Sequence, residues 1–233
     1  MKVKDHFLTQ EVFEVRASKH DGILETYPRP SNEVLPLYYD SPHYISHQVK
    51  AITIKDKIYQ KVKAFMINRK KRLISRYKQE GAILDVGAGT GEFLEAFENR
   101  NWSKFAIEPS AKLRPAYQNK GINHIEHLSE IESNSLDVIT LWHSLEHIPE
   151  LIETIQHLGR VLKPNGVIFV AVPNYQSYDS KYYKKYWAAW DVPRHLWHFS
   201  RHGLKHIFKS YGFSCTKEVG MPLDAYYVSL LSE

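Results

Sequence analysis

A short apolar segment that ends in closely spaced glycines is the part of this sequence best suited to bind a small ligand. Segment 83–91 reads ILDVGAGTG, and a helical pattern follows it. Glycines allow a sharp turn and a close backbone approach to a ligand, and the start of a helix offers unpaired N–H groups. The spacing G-x-G-x-G after Asp85 differs from the pyrophosphate motif G-x-G-x-x-G and from a P-loop. It predicts a pocket for a nucleoside without phosphates.

A carboxylate stands at the end of the next predicted strand. Segment 104–108 reads KFAIE, so that Glu108 follows Asp85 by 23 residues. An acid about 20 residues beyond the glycine turn, at the tip of the second strand, is placed to accept ribose hydroxyls. We therefore expect Glu108 to hold the sugar of the nucleoside.

With these features the chain resembles the class I S-adenosylmethionine-dependent methyltransferases, whose first motif reads D-x-G-x-G-x-G and whose second strand ends in an acid. It is most similar to the small-molecule branch with the ubiquinone-biosynthesis O-methyltransferases and the type 12 and type 23 methyltransferase domains. The other matching segments are 135–140 (SLDVIT), 143–148 (HSLEHI), 162–166 (LKPNG) and 190–199 (WDVPRHLWHF). The resemblance covers roughly residues 35–233 and implies S-adenosylmethionine as the cofactor.

Strand and helix patterns alternate from Gly81 onward, which predicts an α/β fold with a parallel sheet covered on both faces. The strands are expected near 82–86, 104–108, 122–126, 137–142 and 167–172, and the helices near 91–99, 110–119, 150–162 and 200–211. Segments 213–220 and 224–231 are predicted to pair as an antiparallel hairpin, because the link between them is too short for a crossover helix. The resemblance implies a Rossmann-like, doubly wound sheet of seven strands in the order 3-2-1-4-5-7-6, with the last strand antiparallel.

Composition indicates one soluble domain with a small N-terminal lobe. The chain has 233 residues, of which 43% are hydrophobic, and a single cysteine, Cys215. This cysteine usage argues for a reducing compartment, and the N-terminus lacks a signal-peptide pattern. We therefore expect a cytoplasmic protein that does not bind membranes. The predicted division is an irregular, metal-free lobe at 1–48 with a strand near 12–15, basic amphipathic helices at 49–80, and the methyltransferase domain at 81–233.

The segment 50–80 concentrates positive charge. It holds 11 Lys and Arg residues and two acids, a net charge of +9 in a chain whose total is +5. This excess could bind nucleic acid or an acidic partner. The alternative, which we favour, is the solvated face of an amphipathic helix. Apolar residues recur among the charges at helical spacing; they are Ile54, Ile58, Val62, Phe65 and Leu73.

The resemblance also implies which residues contact the cofactor. We expect the carboxylate beneath the turn to orient the loop and to interact with the ligand's ammonium group, and we expect the segments after the second and third strands to reach the adenine. The predicted cofactor residues are Asp85, Gly87, Ala88, Gly89, Gly91, Glu108, Pro109, Leu128, Ser129 and His143.

The segment 143–147 also reads H-x-x-E-H, an inverted zinc-peptidase signature. Two histidines on one helix face can hold zinc, but a third protein ligand is required. His143 is predicted at the tip of a strand rather than inside a helix, and Pro149 follows two residues after His147. A zinc peptidase is therefore disfavoured, and we predict no metal.

The segment 175–200 combines aromatic and polar side chains after the fifth predicted strand. An insertion at this edge is typical of a binding loop, although its aromatics could equally be core and Asp191–Arg194 a structural ion pair. The predicted acceptor-binding residues are Tyr178, Trp190, Asp191, Arg194 and His198. An oxygen or carbon acid must lose a proton before methylation, and histidine suits that role; the candidates, in order, are His195, His143 and His147.

The sequence thus predicts methylation of oxygen or carbon in a small molecule, and the positive charge of Arg194 and the basic segment suits an acidic acceptor. Two alternatives remain open. One is an RNA-binding or RNA-modifying protein that uses segment 50–80. Methylation of adenine in DNA is disfavoured, because segment 139–148 lacks the Asn-Pro-Pro-Tyr motif of that reaction. The other is a regulator that binds the cofactor without catalysis.

Overall fold

The computed structural model describes residues 1–39, 54–97 and 101–233, with the backbone alone at 54–59. It divides into two compact units that are each discontinuous in sequence. The first unit comprises Met1–Gln48, Leu145–Leu151 and Val172–Glu233, and the second comprises Val49–Ser144 and Ile152–Ala171.

The second unit is built on a parallel sheet of five strands among the described residues. Its strands are β4 (Gly81–Val86), β5 (Trp102–Ile107), β6 (Ile122–His124), β7 (Leu136–Trp142) and β8 (Leu162–Ala171). Their order is β6-β5-β4-β7-β8, and the predicted α/β class is confirmed. The chain order reverses between β4 and β7, and ligands of open parallel sheets bind beyond the carboxyl ends of strands at such a reversal.

The central strand β4 is apolar on both faces because the sheet is covered on both sides. Ile83 and Leu84 are fully buried, and Ile83 pairs in register with Val138 of β7. Near the start of β4, the Ala82 amide donates to Asp137 of β7 at 2.9 Å, and the Lys163 ammonium donates to the same carboxylate at 2.7 Å. Burial alone would raise the pKa of Asp137, but these donors outweigh it and lower that pKa.

Helices flank the sheet less regularly than predicted. The second unit contains α1 (Ile54–Ser75), α2 (Glu92–Glu95) and most of α3 (Leu151–Val161). The predicted helix at 110–119 is wrong, because only a 3₁₀ turn forms at Arg114–Tyr117. Pro115 lacks the N–H needed for an interior position of an α-helix and is tolerated in the first turn.

The predicted apolar stripe of α1 is wrong at two of the three residues whose side chains are described. Val62 and Phe65 are 41% and 56% exposed, whereas Leu73 is half-buried. The side chains of Ile54 and Ile58 lie outside the described residues. The helix instead buries the face that carries Met66 and Ile74.

The N-terminal segment is ordered, in contrast to the predicted irregular lobe. It forms β1 (Lys2–Lys4), β2 (Val12–Ala17) and β3 (Ile23–Tyr27), which pair with β9 (Trp197–Phe199) in an antiparallel sheet of order β1-β2-β3-β9. The strand expected near 12–15 is confirmed. Because β9 pairs with β3, residues 172–233 belong with the N-terminal segment, and this division differs from the predicted single domain at 81–233.

The remaining helices of the first unit are α4 (Tyr178–Tyr183), α5 (Arg201–Ser210) and α6 (Pro222–Ser232). The predicted closing hairpin is wrong, since segment 213–220 has no regular structure and 222–232 is helical. Pro222 occupies the first turn of α6, where its fixed φ favours a helix. The seven-strand order is therefore absent from the described residues. None of the described helices has the length and apolarity needed to cross a bilayer.

Candidate functional site

The glycine loop connects β4 to α2 in the second unit. Its three glycines have positive φ angles, 77° at Gly87, 55° at Gly89 and 73° at Gly91, a region that strains other residues. A Cβ on Gly87 would lie 2.6 Å from the Cβ of Ser144, and a Cβ on Gly91 would lie 2.8 Å from the side chain of Ile122. Close packing within the unit therefore requires glycine at both of these positions.

Gly89 differs from the other two glycines because the space beside it is open. A Cβ at this position would meet no atom of the described residues within 4 Å. Its N–H donates to Oε2 of Glu108 at 2.9 Å, and the Ser110 N–H donates to Oε1 at 2.9 Å. The acid at the tip of β5 is thus held against the glycine loop, and its carboxylate keeps further lone pairs with which to accept ligand hydroxyls.

Asp85 lies beneath the loop and is 3% exposed. The Thr140 hydroxyl donates to its Oδ1 at 2.6 Å. Burial raises the pKa of Asp85 to about 7; the Thr140 hydrogen bond and the charge of Lys70 oppose this rise, and the charge of Glu108 adds to it. A cation bound nearby would favour the ionised form, so this carboxyl is suited to respond to an ammonium group.

Tyr117 is a loop contact that the sequence analysis missed. Its hydroxyl donates to the Gly89 carbonyl at 2.6 Å, and its ring stacks on His124 with centroids 6.1 Å apart. Burial and the nearby charges of Glu108 and Asp85 raise the pKa of Tyr117. Tyr117 therefore remains a neutral hydrogen-bond donor that fixes the Gly89 peptide. No sequence motif marks it, and it lies inside the segment 110–119, which was predicted as an α-helix and forms only a 3₁₀ turn.

The residues predicted to contact adenine are near the carboxyl ends of β5 and β6. Pro109 is exposed, and its carbonyl accepts from Arg114 at 3.3 Å. Leu128 and Ser129 lie in a 3₁₀ turn, in which the Leu128 carbonyl accepts from Arg160 at 2.8 Å. A contact of these three residues with adenine stays a prediction.

In the first unit, the predicted acceptor residues make contacts within the protein. Arg194 is buried, and its Nη2 donates to Asp5 at 3.0 Å and to Asp191 at 2.6 Å. Burial acts to lower the pKa of Arg194, but the hydrogen bond and charge of Asp191 outweigh it and raise that pKa. Trp190 packs in the hydrophobic core with Val3, and its indole N–H donates to a backbone carbonyl at 2.7 Å.

His198 and Tyr178 lie in opposite environments. His198 is buried in β9 with Nε2 2.9 Å from the Thr26 hydroxyl, and burial together with repulsion from His195 lowers its pKa to about 3. Tyr178, at the start of α4, is 77% exposed and stacks on Tyr182. The structure therefore does not group the five acceptor candidates around one open surface, and their role in binding an acceptor stays a prediction.

Two of the predicted catalytic histidines lie together in the first unit. The rings of His147 and His195 have centroids 4.6 Å apart. Burial and repulsion from His195 lower the pKa of His147 to about 4. The third candidate, His143, belongs to the second unit, where its N–H donates to the Ala171 carbonyl at 2.9 Å and its φ is 56°.

The comparison with known families decides the identity of this chain. Residues 59–218 match a family described as "Methyltransferase domain". The chain belongs to this methyltransferase family. The glycine loop and the acid of β5 are those of its class I, S-adenosylmethionine-dependent members, and S-adenosylmethionine is the cofactor.

Relatives of this methyltransferase agree in chemistry but cover only part of it. The ubiquinone biosynthesis O-methyltransferase of Neisseria meningitidis is 28% identical over 105 residues, which are 40% of this chain and 44% of that protein. The matched region thus spans less than half the length of this curated relative.

Solved structures show the same fold. A SAM-dependent methyltransferase from Archaeoglobus fulgidus has a TM-score of 0.55 at 20% identity, over 72% of this chain and 84% of that one. Phosphoethanolamine N-methyltransferase 2 of Haemonchus contortus, solved with S-adenosyl-L-methionine, has a TM-score of 0.51 at 17% identity, over 71% of this chain and 41% of that one. At these identities the likeness concerns the fold alone.

The residues of the methyltransferase loop fit the cofactor. The open space beside Gly89 leaves room for the ligand, and Asp85 and Glu108 supply the anionic groups. Ser144, which packs against Gly87, has a buried hydroxyl without a hydrogen-bond partner among the described residues. A buried hydroxyl of this kind is costly unless a ligand or water satisfies it. Ser144 is a second contact that the sequence analysis missed, although it stands inside the matching segment 143–148.

Proposed function

We propose that this chain transfers a methyl group from S-adenosylmethionine to an oxygen atom of a small molecule. Family membership supports the reaction class, and the O-methyltransferase relatives support oxygen as the acceptor. The observation that carries the proposal is the Glu108 carboxylate, which the Gly89 amide holds at 2.9 Å beside the open part of the loop. The alternative is methylation of a carbon atom that carries an acidic proton.

The loop residues divide the binding of the cofactor among them. The spare lone pairs of Glu108 would accept the ribose hydroxyls. Ionised Asp85 would attract the ammonium group, directly or through water, and the Ser144 hydroxyl would gain a partner. The backbone from Gly87 to Gly91 would lie along the methionine part, because no side chain in the described part of the chain covers Gly89.

His143 is the candidate for the group that removes the acceptor's proton. When bound, S-adenosylmethionine supplies a sulfonium methyl group, which an acceptor oxygen takes up as the sulfur leaves as a neutral thioether. His143 directly precedes Ser144, which contacts Gly87, and it belongs to the same unit as the loop. A neutral imidazole there would take the hydroxyl proton as the new bond forms.

The basic segment supports an RNA-related function less than its charge suggests. Lys63 pairs with Glu92 at 2.5 Å, Lys71 donates to the Ala96 carbonyl at 2.5 Å, and Lys70 lies over the Trp142 ring. These ammonium groups therefore serve contacts within the second unit. We expect no RNA affinity that falls steeply with added salt, and fluorescence anisotropy with a single-stranded RNA at two salt concentrations measures this.

Calorimetric titration with S-adenosylmethionine tests the proposed site. We expect Glu108→Gln and Gly89→Val each to weaken binding by roughly tenfold or more, because one loses a charged acceptor and the other fills the ligand's space. The matched controls are Glu80→Gln and Gly212→Val. Glu80 precedes β4, at the end of the strand opposite the loop. Gly212 follows α5 in the first unit, with a positive φ of 86° and space beside it that is equally open among the described residues.

Binding that is unchanged in Glu108→Gln, or equally lost in Gly212→Val, would refute the site. Catalysis is measured separately, as release of S-adenosylhomocysteine with a panel of phenols and other hydroxyl compounds. On an accepted substrate, His143→Asn should lower kcat and remove the acidic limb of the pH–rate profile while cofactor affinity is retained.

A further inference from the structure

A cluster of three metal-binding side chains lies in the first unit, apart from the residues that hold the cofactor. Glu146 and His147 stand in the 3₁₀ turn Leu145–His147, and His195 precedes β9. The Leu196 N–H donates to the Glu146 carbonyl at 2.8 Å and so ties the turn to the segment before β9. One ligand atom from each of the three side chains lies within 4.8 Å of the other two.

Hydrogen-bond contacts orient both imidazoles. Nδ1 of His195 lies 2.9 Å from the Ala189 carbonyl, and a carbonyl only accepts, so this contact favours a proton on Nδ1 of His195 and leaves its Nε2 with a lone pair. Nδ1 of His147 lies 3.1 Å from the Arg194 carbonyl and 2.9 Å from the Tyr39 hydroxyl, which can donate to it or accept from it. An Nδ1–H held by a carbonyl is the arrangement that orients metal-binding histidines in proteins.

The carboxylate of Glu146 is buried beside the imidazoles. Glu146 is 1% exposed, and its Oε1 lies 4.0 Å from Nε2 of His195. A buried carboxylate next to two imidazoles is a donor set that divalent metal ions accept.

We propose that Glu146, His147 and His195 bind a divalent first-row metal ion, with Zn²⁺ as the preferred probe. Two imidazoles and one carboxylate are a known zinc donor set that leaves a coordination position open for water or an oxygen ligand. Metal–ligand bonds of about 2.0–2.2 Å would place the three ligand atoms roughly 3–4 Å apart. Small side-chain rotations from the observed cluster achieve this.

This site differs from the peptidase motif considered in the sequence. The motif H-x-x-E-H lacked a third ligand, and the structure supplies His195 from the segment 190–199. His143, the first residue of the motif, belongs to the other unit. The proposal does not depend on methyl transfer, and its test needs no cofactor.

Metal binding is measured by titrating protein without an affinity tag with Zn²⁺ and, separately, with Co²⁺. We expect one ion per chain by calorimetry, together with the visible absorption bands of Co²⁺ in a site of low symmetry. His195→Asn and Glu146→Gln should each weaken binding by roughly tenfold or more, because each removes one of three ligands.

The matched control addresses a second histidine pair on the surface of the first unit. His202 and His206 are exposed on α5 with ring centroids 5.7 Å apart. We expect His206→Asn to retain the tight site. Absence of stoichiometric binding in the wild type, or loss of binding in His206→Asn but not in His195→Asn, would overturn the proposal.

A spectroscopic measurement on the His206→Asn protein covers the case in which the buried variants do not fold. X-ray absorption of its zinc-loaded form should show two imidazoles and one carboxylate around the metal. A shell of water oxygens with at most one imidazole would exclude the site.

Discussion

At the scale of single residues, the cofactor loop contains polar groups that can form more hydrogen bonds than their protein partners provide. Glu108 accepts two backbone amides and keeps further lone pairs, and Ser144 has a buried hydroxyl without a partner among the described residues. Asp85 is buried deeply enough that its proton is lost only near neutral pH. Each of these groups gains from a ligand that carries hydroxyl and ammonium groups.

Cofactor affinity should depend on the protonation of Asp85. Because burial raises the pKa of Asp85 to about 7, the free protein must lose a proton before it can attract the ammonium group at lower pH. Affinity should therefore fall as the pH falls, by about tenfold from pH 8 to pH 6 if the bound form stays ionised. Calorimetry across this range measures it.

Asp85→Asn is the reference for that experiment, since it removes the titrating group and leaves the ligand's own ionisation unchanged. Binding to this variant should be weaker at pH 8 and should vary less with pH. Identical profiles for the two proteins would exclude Asp85 as the titrating group.

Ser144→Ala should separate ligand binding from stability. The hydroxyl has no partner among the described residues, so its removal should leave the free energy of unfolding unchanged or slightly higher. The loss of a ligand hydrogen bond of about 0.5–1.5 kcal/mol should weaken cofactor binding by roughly 2- to 10-fold. Urea unfolding and calorimetry give the two quantities. Ser135→Ala, whose hydroxyl donates to the Glu132 carbonyl at 2.7 Å, is the control.

At the scale of elements, the segment 193–195 (PRH) anchors the loop between β1 and β2 in the first unit. Asp5 accepts the amides of Phe7 and Thr9 and also the guanidinium of Arg194. Burial acts to raise the pKa of Asp5, but the Arg194 and Thr9 hydrogen bonds outweigh it and lower that pKa. The ion pair thus joins the loop between β1 and β2 to the segment before β9. This contact accounts for the burial of the Arg194 guanidinium without a bound acceptor molecule.

Asp5→Ala should destabilise the protein strongly. It leaves the guanidinium of Arg194, which is 1% exposed, without one of its carboxylates, and breaking a buried ion pair costs about 3–5 kcal/mol. The control is Glu25→Ala in the exposed pair Arg16–Glu25, where about 0–1 kcal/mol is expected. Urea unfolding measures both, and equal effects would show that the buried pair has no special structural role.

At the scale of the whole molecule, the chain forms two units from interleaved segments. The cofactor loop, Asp85 and Glu108 all belong to the second unit, whereas the antiparallel sheet and the Glu146–His147–His195 cluster belong to the first. Cofactor binding and metal binding can therefore be measured and removed independently.

S-adenosylhomocysteine should raise the melting temperature of the protein. A ligand that binds only the folded state at about 100 times its Kd adds about 2.7 kcal/mol, and each kcal/mol corresponds to about 2–4 °C for a chain of about 150–250 residues. Scanning calorimetry should thus show a rise of roughly 5–10 °C. The shift should be much smaller in Glu108→Gln and unchanged in Glu80→Gln.

The sequence by itself determined the parallel sheet and the cofactor loop. Both are encoded locally: β4 is a continuous apolar run, the glycines mark positive φ angles, and Glu108 ends the next strand. The final segment was predicted wrongly because the resemblance and the short link between 213–220 and 224–231 implied an antiparallel hairpin, while Pro222 begins the helix α6.

Only the tertiary structure decided the partners of residues that are remote in sequence. The pairing of β3 with β9 added a remote strand to the N-terminal sheet, the contact with Asp5 gave Arg194 a structural role, and His195 came to lie beside Glu146 and His147. Such contacts join residues that are 40 or more positions apart, as with Arg194 and Asp5 at a separation of 189. Local spacing carries no information about long-range contacts, and the burial that shifts each pKa exists only once the chain has folded.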